Sequence, residues 1–114
     1  MAFSKEVRVF NGKKVEILYP LHEIDSYNGE EMKSFLYEED SYDAVIINFS
    51  RVNYLNSSGL RELIQILKYL KEEGKLLVLT HLNEEIINIF RSTNLHKLFK
   101  ICSTDDSAGS ALEG

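Results

Sequence analysis

The spacing of hydrophobic and polar residues predicts that the chain opens with a β-hairpin. Apolar side chains occupy alternate positions over residues 7–9 and again over residues 15–19, as in strands that bury one face. The dipeptide Asn11-Gly12 between these segments favours the positive φ angles of a tight two-residue turn. Pro20 lacks a backbone N–H and is expected to end the second strand.

Longer apolar runs and helical spacing follow the hairpin. Residues 44–49 and 76–79 are almost continuously apolar, which predicts strands that are covered on both faces. Hydrophobic residues recur at helical spacing in three further segments, which contain Met32, Phe35 and Leu36; Leu60, Leu63, Ile64, Leu67 and Leu70; and Ile86, Ile87, Ile89 and Phe90.

Residue types at the ends of these segments predict where the helices begin and end. Asn28 precedes Glu31 by three residues and is expected to cap the first helix. Gly74 is well placed to end the second helix, and Asn83 to cap the third.

A hairpin followed by alternating helices and strands predicts an α/β fold, because helical crossovers usually join parallel strands. We expect a mixed four- or five-stranded sheet with helices packed mainly on one face. Residues 1–102 are expected to form a single domain. Residues 103–114 are polar and rich in small side chains, which predicts a flexible C-terminal tail.

Composition and charge narrow the classes of function. The chain has 114 residues, with 18 acidic and 13 basic side chains and a net charge of −5, so direct nucleic-acid binding is not expected. No apolar stretch approaches the roughly 18 residues of a membrane helix, and the N-terminal residues lack the apolar core of a signal peptide. Cys102 is the only cysteine, which excludes an intrachain disulfide and favours a reducing, cytoplasmic setting.

The segment Asn56-Ser57-Ser58-Gly59 carries the strongest candidate chemistry. It lies between a buried-strand pattern and the first turn of an amphipathic helix, where backbone N–H groups are left unpaired and can accommodate a phosphate. From the residues alone, a serine at this position is most often a helix cap, and a phosphate acceptor is the alternative. Gly59 permits either a close backbone approach or an ordinary turn.

The segments Tyr54–Leu60 and Glu23-Ile24-Asp25 resemble the STAS domain in its anti-sigma-factor antagonist form, and the similarity extends from about Val7 to about Cys102. The family motif usually reads Asp-Ser-Ser/Thr-Gly-Leu-Gly, and its first hydroxyl is the one phosphorylated. The resemblance therefore implies a STAS-like fold and a phosphorylation site at Ser57, with Ser58 as the second choice.

The chain departs from the family pattern at three positions. Asn56 stands where the family usually has Asp, Arg61 where it often has Gly, and His22 where the loop usually has Gly. Asn56 keeps the hydrogen-bonding capacity of an Asp and loses its charge, so recognition by a partner that reads this charge is expected to differ.

The resemblance implies a protein-binding switch in transcription regulation. The unmodified form would bind an anti-sigma factor with serine-kinase activity, the phosphorylated form would release it, and a serine phosphatase would restore the first form. The implied partner-binding residues are Asp25, Glu23, Asn56, Ser58 and Gly59, although Asp25 is equally well explained as a capping carboxylate. An alternative is a structural STAS subunit of a stressosome-like or lipid-transport assembly.

Enzymatic alternatives have little support in the sequence. Ser57, His81 and Asp25 could supply a hydrolase triad, but no Gly-x-Ser-x-Gly segment accompanies them. His22, His81 and His96 lie on separate predicted elements without metal-ligand spacing. No phosphate-binding or dinucleotide-binding glycine motif is present, so we expect no catalytic, metal or cofactor site and interpret the protein as the substrate of a kinase.

Overall fold

The protein folds into a mixed β-sheet with helices on both faces. The structure is a computed structural model that describes residues 3–113. Its elements are, in chain order, β1 Phe3–Phe10, β2 Lys13–Pro20, β3 His22–Ile24, α1 Ser26–Glu38, β4 Ala44–Asn48, β5 Val52–Leu55, α2 Ser57–Glu72, β6 Leu76–Thr80, α3 Glu84–Ser92, a 3₁₀ turn Leu95–Lys97, β7 Lys100–Cys102 and α4 Asp105–Glu113.

The five-stranded sheet has the order β1-β2-β4-β6-β7. β1 and β2 pair antiparallel as the predicted hairpin, and Asn11 and Gly12 take φ angles of 51° and 83° at its turn. The remaining neighbours pair in parallel, so the prediction of a mixed α/β sheet is confirmed. A second sheet, formed by the short parallel strands β3 and β5, was not predicted.

The two faces of the sheet have separate hydrophobic clusters. α1, α2 and α3 cover one face, where side chains such as Met32, Ile66 and Phe90 pack against Val45 and Ile47. This arrangement follows the prediction that the helices pack mainly on one face. The opposite face carries a smaller cluster of Val15, Ile17, Ala44, Ile46 and Val78, which α4 covers with Ala108 and Leu112.

Helix α4 corrects the prediction of a flexible tail after residue 102. Asp105 at its start is only 9% exposed, and its carboxylate accepts hydrogen bonds from the Thr80 hydroxyl (2.6 Å) and the Asn48 amide (2.9 Å). A Cβ at Gly109 would lie 2.2 Å from the ring of Phe10. The small residues that suggested disorder therefore allow this helix to approach the sheet closely.

The ends of the two middle helices follow the sequence. The Asn83 side chain accepts a hydrogen bond from the Ile86 N–H (2.9 Å), which confirms Asn83 as the N-cap of α3. Gly74 follows Glu73, the C-cap of α2, and takes a φ angle of 71°, as expected of a residue that ends a helix in the left-handed conformation.

We expect Asp105→Ala to destabilise the protein by about 1–3 kcal/mol, because Thr80 and Asn48 would lose their buried acceptor. Asp106→Ala is the matched control, since that side chain is 85% exposed and forms an exposed ion pair with Arg8. The control should cost less than about 1 kcal/mol in urea unfolding. Equal losses for the two variants would show that the Asp105 hydrogen bonds do not hold α4 in place.

Glu16 is a second buried carboxylate, on β2. It is 2% exposed, and its Oε2 atom has no hydrogen-bond partner among the residues that the structure describes. Burial raises the pKa of this carboxyl above its ordinary value of 4.5; the charges of Lys5 and Lys14 oppose the shift, and Glu39 adds to it.

The raised pKa of Glu16 predicts a pH-dependent loss of stability in the wild type, and the substitution Glu16→Gln should remove this loss. Because the folded state holds its Glu16 proton to higher pH than the unfolded chain does, ionisation of Glu16 should lower the free energy of unfolding as pH rises from 4.5 through the raised pKa. The stability of Glu16→Gln relative to wild type should rise over the same window and then level off. Urea unfolding at a series of pH values tests this, with Glu72→Gln on the exposed surface as control. A Glu16→Gln difference that does not vary with pH would refute the assignment.

Candidate functional site

The candidate site lies where the first turn of α2 meets the junction between β3 and α1. The approach is so close that a Cβ built at Gly59 would lie 1.9 Å from the backbone oxygen of Ile24 and 2.9 Å from the backbone nitrogen of Asp25. Backbone atoms cannot move aside as a flexible side chain can. Of the two interpretations of Gly59, the structure therefore favours the close backbone approach.

Asn56 is the N-cap of α2. Its Oδ1 atom accepts hydrogen bonds from the Gly59 N–H (2.8 Å) and from the Ser58 hydroxyl (2.8 Å). The interpretation in which a serine caps this helix is therefore wrong, because both serines lie inside its first turn. Capping requires an acceptor oxygen rather than a charge, so Asn serves here as Asp would.

The two serines differ in what their hydroxyls can do. Ser58 is half-buried, and its hydroxyl is engaged with Asn56. Ser57 is exposed, and within residues 3–113 no hydrogen-bond partner is found for its hydroxyl. Of the two candidate acceptors, Ser57 is the one that a modifying enzyme can reach without breaking a hydrogen bond.

Asp25 caps α1, and this corrects the prediction that Asn28 does so. The Asp25 carboxylate accepts a hydrogen bond from the Asn28 N–H (3.0 Å), and the Asn28 side chain accepts one from the Asp25 N–H (2.9 Å). Asn28 also donates to the backbone oxygen of Glu23. This reciprocal capping box holds the predicted partner-binding residues Glu23 and Asp25 in place beside α2.

The small sheet of β3 and β5 adds a residue that the sequence interpretation missed. Glu23 on β3 is paired with Tyr54 on β5, and the Tyr54 side chain is 57% exposed. This pairing places an exposed aromatic side chain next to Glu23, two positions before the helix cap Asn56. The strands are too short for a periodic pattern to reveal the pairing.

The structure shows the positions of two residues that depart from the family pattern, His22 and Arg61. His22 takes a φ angle of 66°, the left-handed region that glycine adopts without strain, and its N–H donates to the backbone oxygen of Arg51 (2.9 Å). Arg61 is exposed and lies four residues after Ser57, on the same side of α2. The first turn of α2 contains no acidic residue.

The other chemical alternatives do not assemble. His81 Nε2 lies 4.0 Å from an oxygen of Asp105, and among the described residues His81 forms no hydrogen bond or ion pair with Ser57 or Asp25. Within residues 3–113, no group of three or more histidine, cysteine and acidic side chains is arranged to hold a metal ion. No helix in this part of the chain has the length and apolarity needed to cross a bilayer.

Comparison with known protein families finds one domain that covers most of the chain. A profile of the STAS domain matches residues 12–108. A Thermotoga neapolitana protein, provisionally named an anti-sigma factor antagonist and TM1081 homolog, is 27% identical over 103 residues, which are 88% of this chain and 91% of that protein.

Solved structures share the fold at low sequence identity. The crystal structure of the Thermotoga maritima protein tm1081, also provisionally named an anti-sigma factor antagonist, superposes with a TM-score of 0.86 at 24% identity, over 98% of this chain and 95% of that one. The phosphorylated form of the Bacillus cell fate determinant SpoIIAA superposes with a TM-score of 0.70 at 16% identity, over 96% and 99% of the two chains.

The capping role of Asn56 predicts how two substitutions affect stability. Asn56→Ala should cost about 0.5–2 kcal/mol, because the Gly59 N–H and the Ser58 hydroxyl lose their acceptor. Asn56→Asp retains the acceptor and should be at least as stable as wild type, since a negative charge is favourable at a helix N-terminus. Urea unfolding measures both effects, with Asn53→Ala on the exposed part of β5 as control. Losses no larger for Asn56→Ala than for Asn53→Ala would argue against the capping role.

Proposed function

The chain belongs to the STAS domain family, and from this premise we propose that it is an anti-sigma-factor antagonist controlled by phosphorylation of Ser57. In the unmodified form, the protein binds an anti-sigma factor that is also a serine kinase. Phosphorylation releases that partner, and a serine phosphatase returns the protein to its binding form. The names of its relatives support the general role.

The observation that carries the proposal is the state of the Ser57 hydroxyl. It is exposed at the start of α2 and uncommitted among the described residues, while the neighbouring Ser58 hydroxyl donates to Asn56. A kinase can therefore approach Ser57 without first disturbing the helix cap. Because its hydroxyl is already engaged in that hydrogen bond, Ser58 is the second candidate for the phosphate acceptor.

The surroundings of Ser57 support a stable phosphorylated form. A phosphate brings nearly two negative charges and three acceptor oxygens to a helix N-terminus, where backbone N–H groups and the helix dipole favour an anion. Arg61, one helical turn later, adds a guanidinium that is suited to phosphate. The modified protein should therefore keep its fold.

The negative charge of a phosphate on Ser57 also weakens binding to the anti-sigma factor. Glu23 and Asp25 already lie beside the first turn of α2, close to the exposed Tyr54. A partner that binds this mixed acidic and aromatic surface meets a much stronger negative field once Ser57 is phosphorylated. We assign partner contacts to Glu23, Asp25 and the segment from Asn56 to Gly59, with Tyr54 as an additional contact.

In this proposal the protein is a substrate and a binding partner rather than an enzyme. Any nucleotide and magnesium belong to the kinase, and the protein acts in the cytoplasm through protein contacts. A structural STAS subunit of a larger assembly is the alternative, and it differs because its interactions would not depend on the state of Ser57.

We expect stoichiometric phosphorylation at Ser57 when the protein is incubated with ATP and each purified serine kinase of the anti-sigma-factor type from the same genome. Wild type and Ser58→Ala should accept one phosphate, and Ser57→Ala none, as measured by intact mass and fragment ions. In calorimetry, the unmodified protein and Ser57→Ala should bind the kinase alike. The phosphoprotein should bind about 5–150-fold more weakly, the usual range for coupling between sites.

Two results would refute the proposal. Phosphate found on Ser58 alone would move the acceptor, and equal affinities for the two forms would favour a structural subunit. The authentic phosphoprotein is the required reagent, because a Ser57→Asp carboxylate carries less charge and fewer acceptor oxygens than a phosphate.

A further inference from the structure

A cavity of about 330 Å³ lies at the opposite end of α2 from Ser57. Four parts of the fold form its walls: the last turns of α2, the start of β6, the segment that leads into β7, and the end of α4. They contribute, among others, Leu67, Lys71, Leu76, Leu98, Lys100 and Leu112. Ser57 and Lys71 are separated by roughly 21 Å along the helix axis, at 1.5 Å per residue. The cavity is therefore distinct from the proposed partner surface.

The cavity exists because the last strand of the sheet is short. β7 pairs with β6 only from Val78 onward, so the outer edge of Leu76 and Leu77 has no strand partner among the residues described. The C-terminal half of α2 closes this gap on one face of the sheet. The end of α4 closes it on the other.

The lining combines apolar walls with positive charge. Leu76 and Leu98 are 49% and 58% exposed, so the cavity presents apolar surface to solvent. Lys71, Lys75 and Lys100 also line it, and no carboxylate does among the described residues. This local charge contrasts with the net charge of −5 for the whole chain.

Two of the three lysines are available to a ligand. The Lys75 ammonium donates to the backbone oxygen of Asp40 (2.9 Å) and lies 3.8 Å from the centre of the Tyr42 ring, so its stem alone contributes to the cavity. The ammonium groups of Lys71 and Lys100 form no ion pair or hydrogen bond with any other described residue. Their ammonium groups can therefore bind an anion at the cavity mouth.

We propose that this cavity binds a small anionic amphiphile, a medium-chain fatty acid carboxylate, with the tail against the leucines and the carboxylate between Lys71 and Lys100. The volume is at the lower end of the range of about 300–1,000 Å³ typical of small-molecule pockets. Among the described residues, the lining has no aromatic side chain on which a nucleobase could stack, and its charged side chains are lysines. An acyl chain with one negative group satisfies both features.

Binding of dodecanoate to the full chain, below its critical micelle concentration, tests the proposal. We expect saturable binding by calorimetry, with amide shifts confined to the end of α2, residues 75–78, residues 98–100 and the end of α4. Each methylene removed from the tail should weaken binding about fourfold. Dodecanol and dodecyltrimethylammonium should bind much more weakly, and added salt should weaken dodecanoate binding.

Variants connect the binding to the cavity. Lys71→Gln and Lys100→Gln should each weaken dodecanoate binding about two- to fivefold, as expected for a partly exposed ion pair. Lys68→Gln, on the exposed side of the same helix, should leave it unchanged. Ala111→Phe should fill the cavity and abolish binding, with thermal unfolding used to verify that the variant is folded.

Several outcomes would overturn the proposal. These are the absence of saturable binding, equal binding of the cationic detergent, and affinities unaffected by both lysine variants. Sedimentation with phosphatidylglycerol vesicles that depends on Lys71 and Lys100, without dodecanoate binding, would assign the lysines to a membrane surface instead. The proposed switch at Ser57 is tested separately and does not depend on any of these results.

Discussion

The missing side chain at Gly59 is the constraint on which the candidate site depends. Only a residue without Cβ allows the first turn of α2 to lie against the Ile24 carbonyl. This contact places the serines of α2 beside the capping box of α1, which in turn holds Asp25 and Glu23. A site built from two helix N-termini thus results from one close backbone approach rather than from a long recognition loop.

The substitution of Asn for the usual family Asp separates two roles that a carboxylate combines. A helix cap needs an oxygen atom, and Asn56 supplies it to both Gly59 and Ser58. The negative charge is absent, and the first turn of α2 has no other acidic residue. A phosphate on Ser57 would therefore bring the only formal negative charge to this turn of the described helix. In a chain with Asp at this position, the same phosphate would add to an existing charge, so the change seen by a partner would be relatively smaller.

Features that depend on neighbouring residues were predictable from the sequence, and features that depend on distant contacts were not. The hairpin turn, the doubly buried strands and the caps at Gly74 and Asn83 follow local rules of conformation and periodicity.

The prediction of a flexible tail failed because α4 gains its stability from Thr80, Asn48 and the sheet rather than from its own hydrophobic pattern. Similarly, both Asp25 and Asn28 can cap a helix, and the path of the chain after β3 decides between them. At the candidate site, the motif predicts Ser57 as the acceptor, while only the three-dimensional contacts distinguish its free hydroxyl from that of Ser58.

Helix α2 carries the proposed phosphoacceptor at one end and the cationic cavity at the other, which raises the question of whether the two are coupled. A ligand shifts a switch only if its affinity differs between the two states. Leu63, Ile66 and Leu70 are completely buried along the helix, so α2 is fixed in the core over most of its length. Phosphorylation at an exposed N-terminal residue can change the charge of the partner surface without moving such a helix. The geometry therefore favours two independent sites on one rigid element, with the partner surface responding to charge and the cavity responding to the size and charge of its ligand.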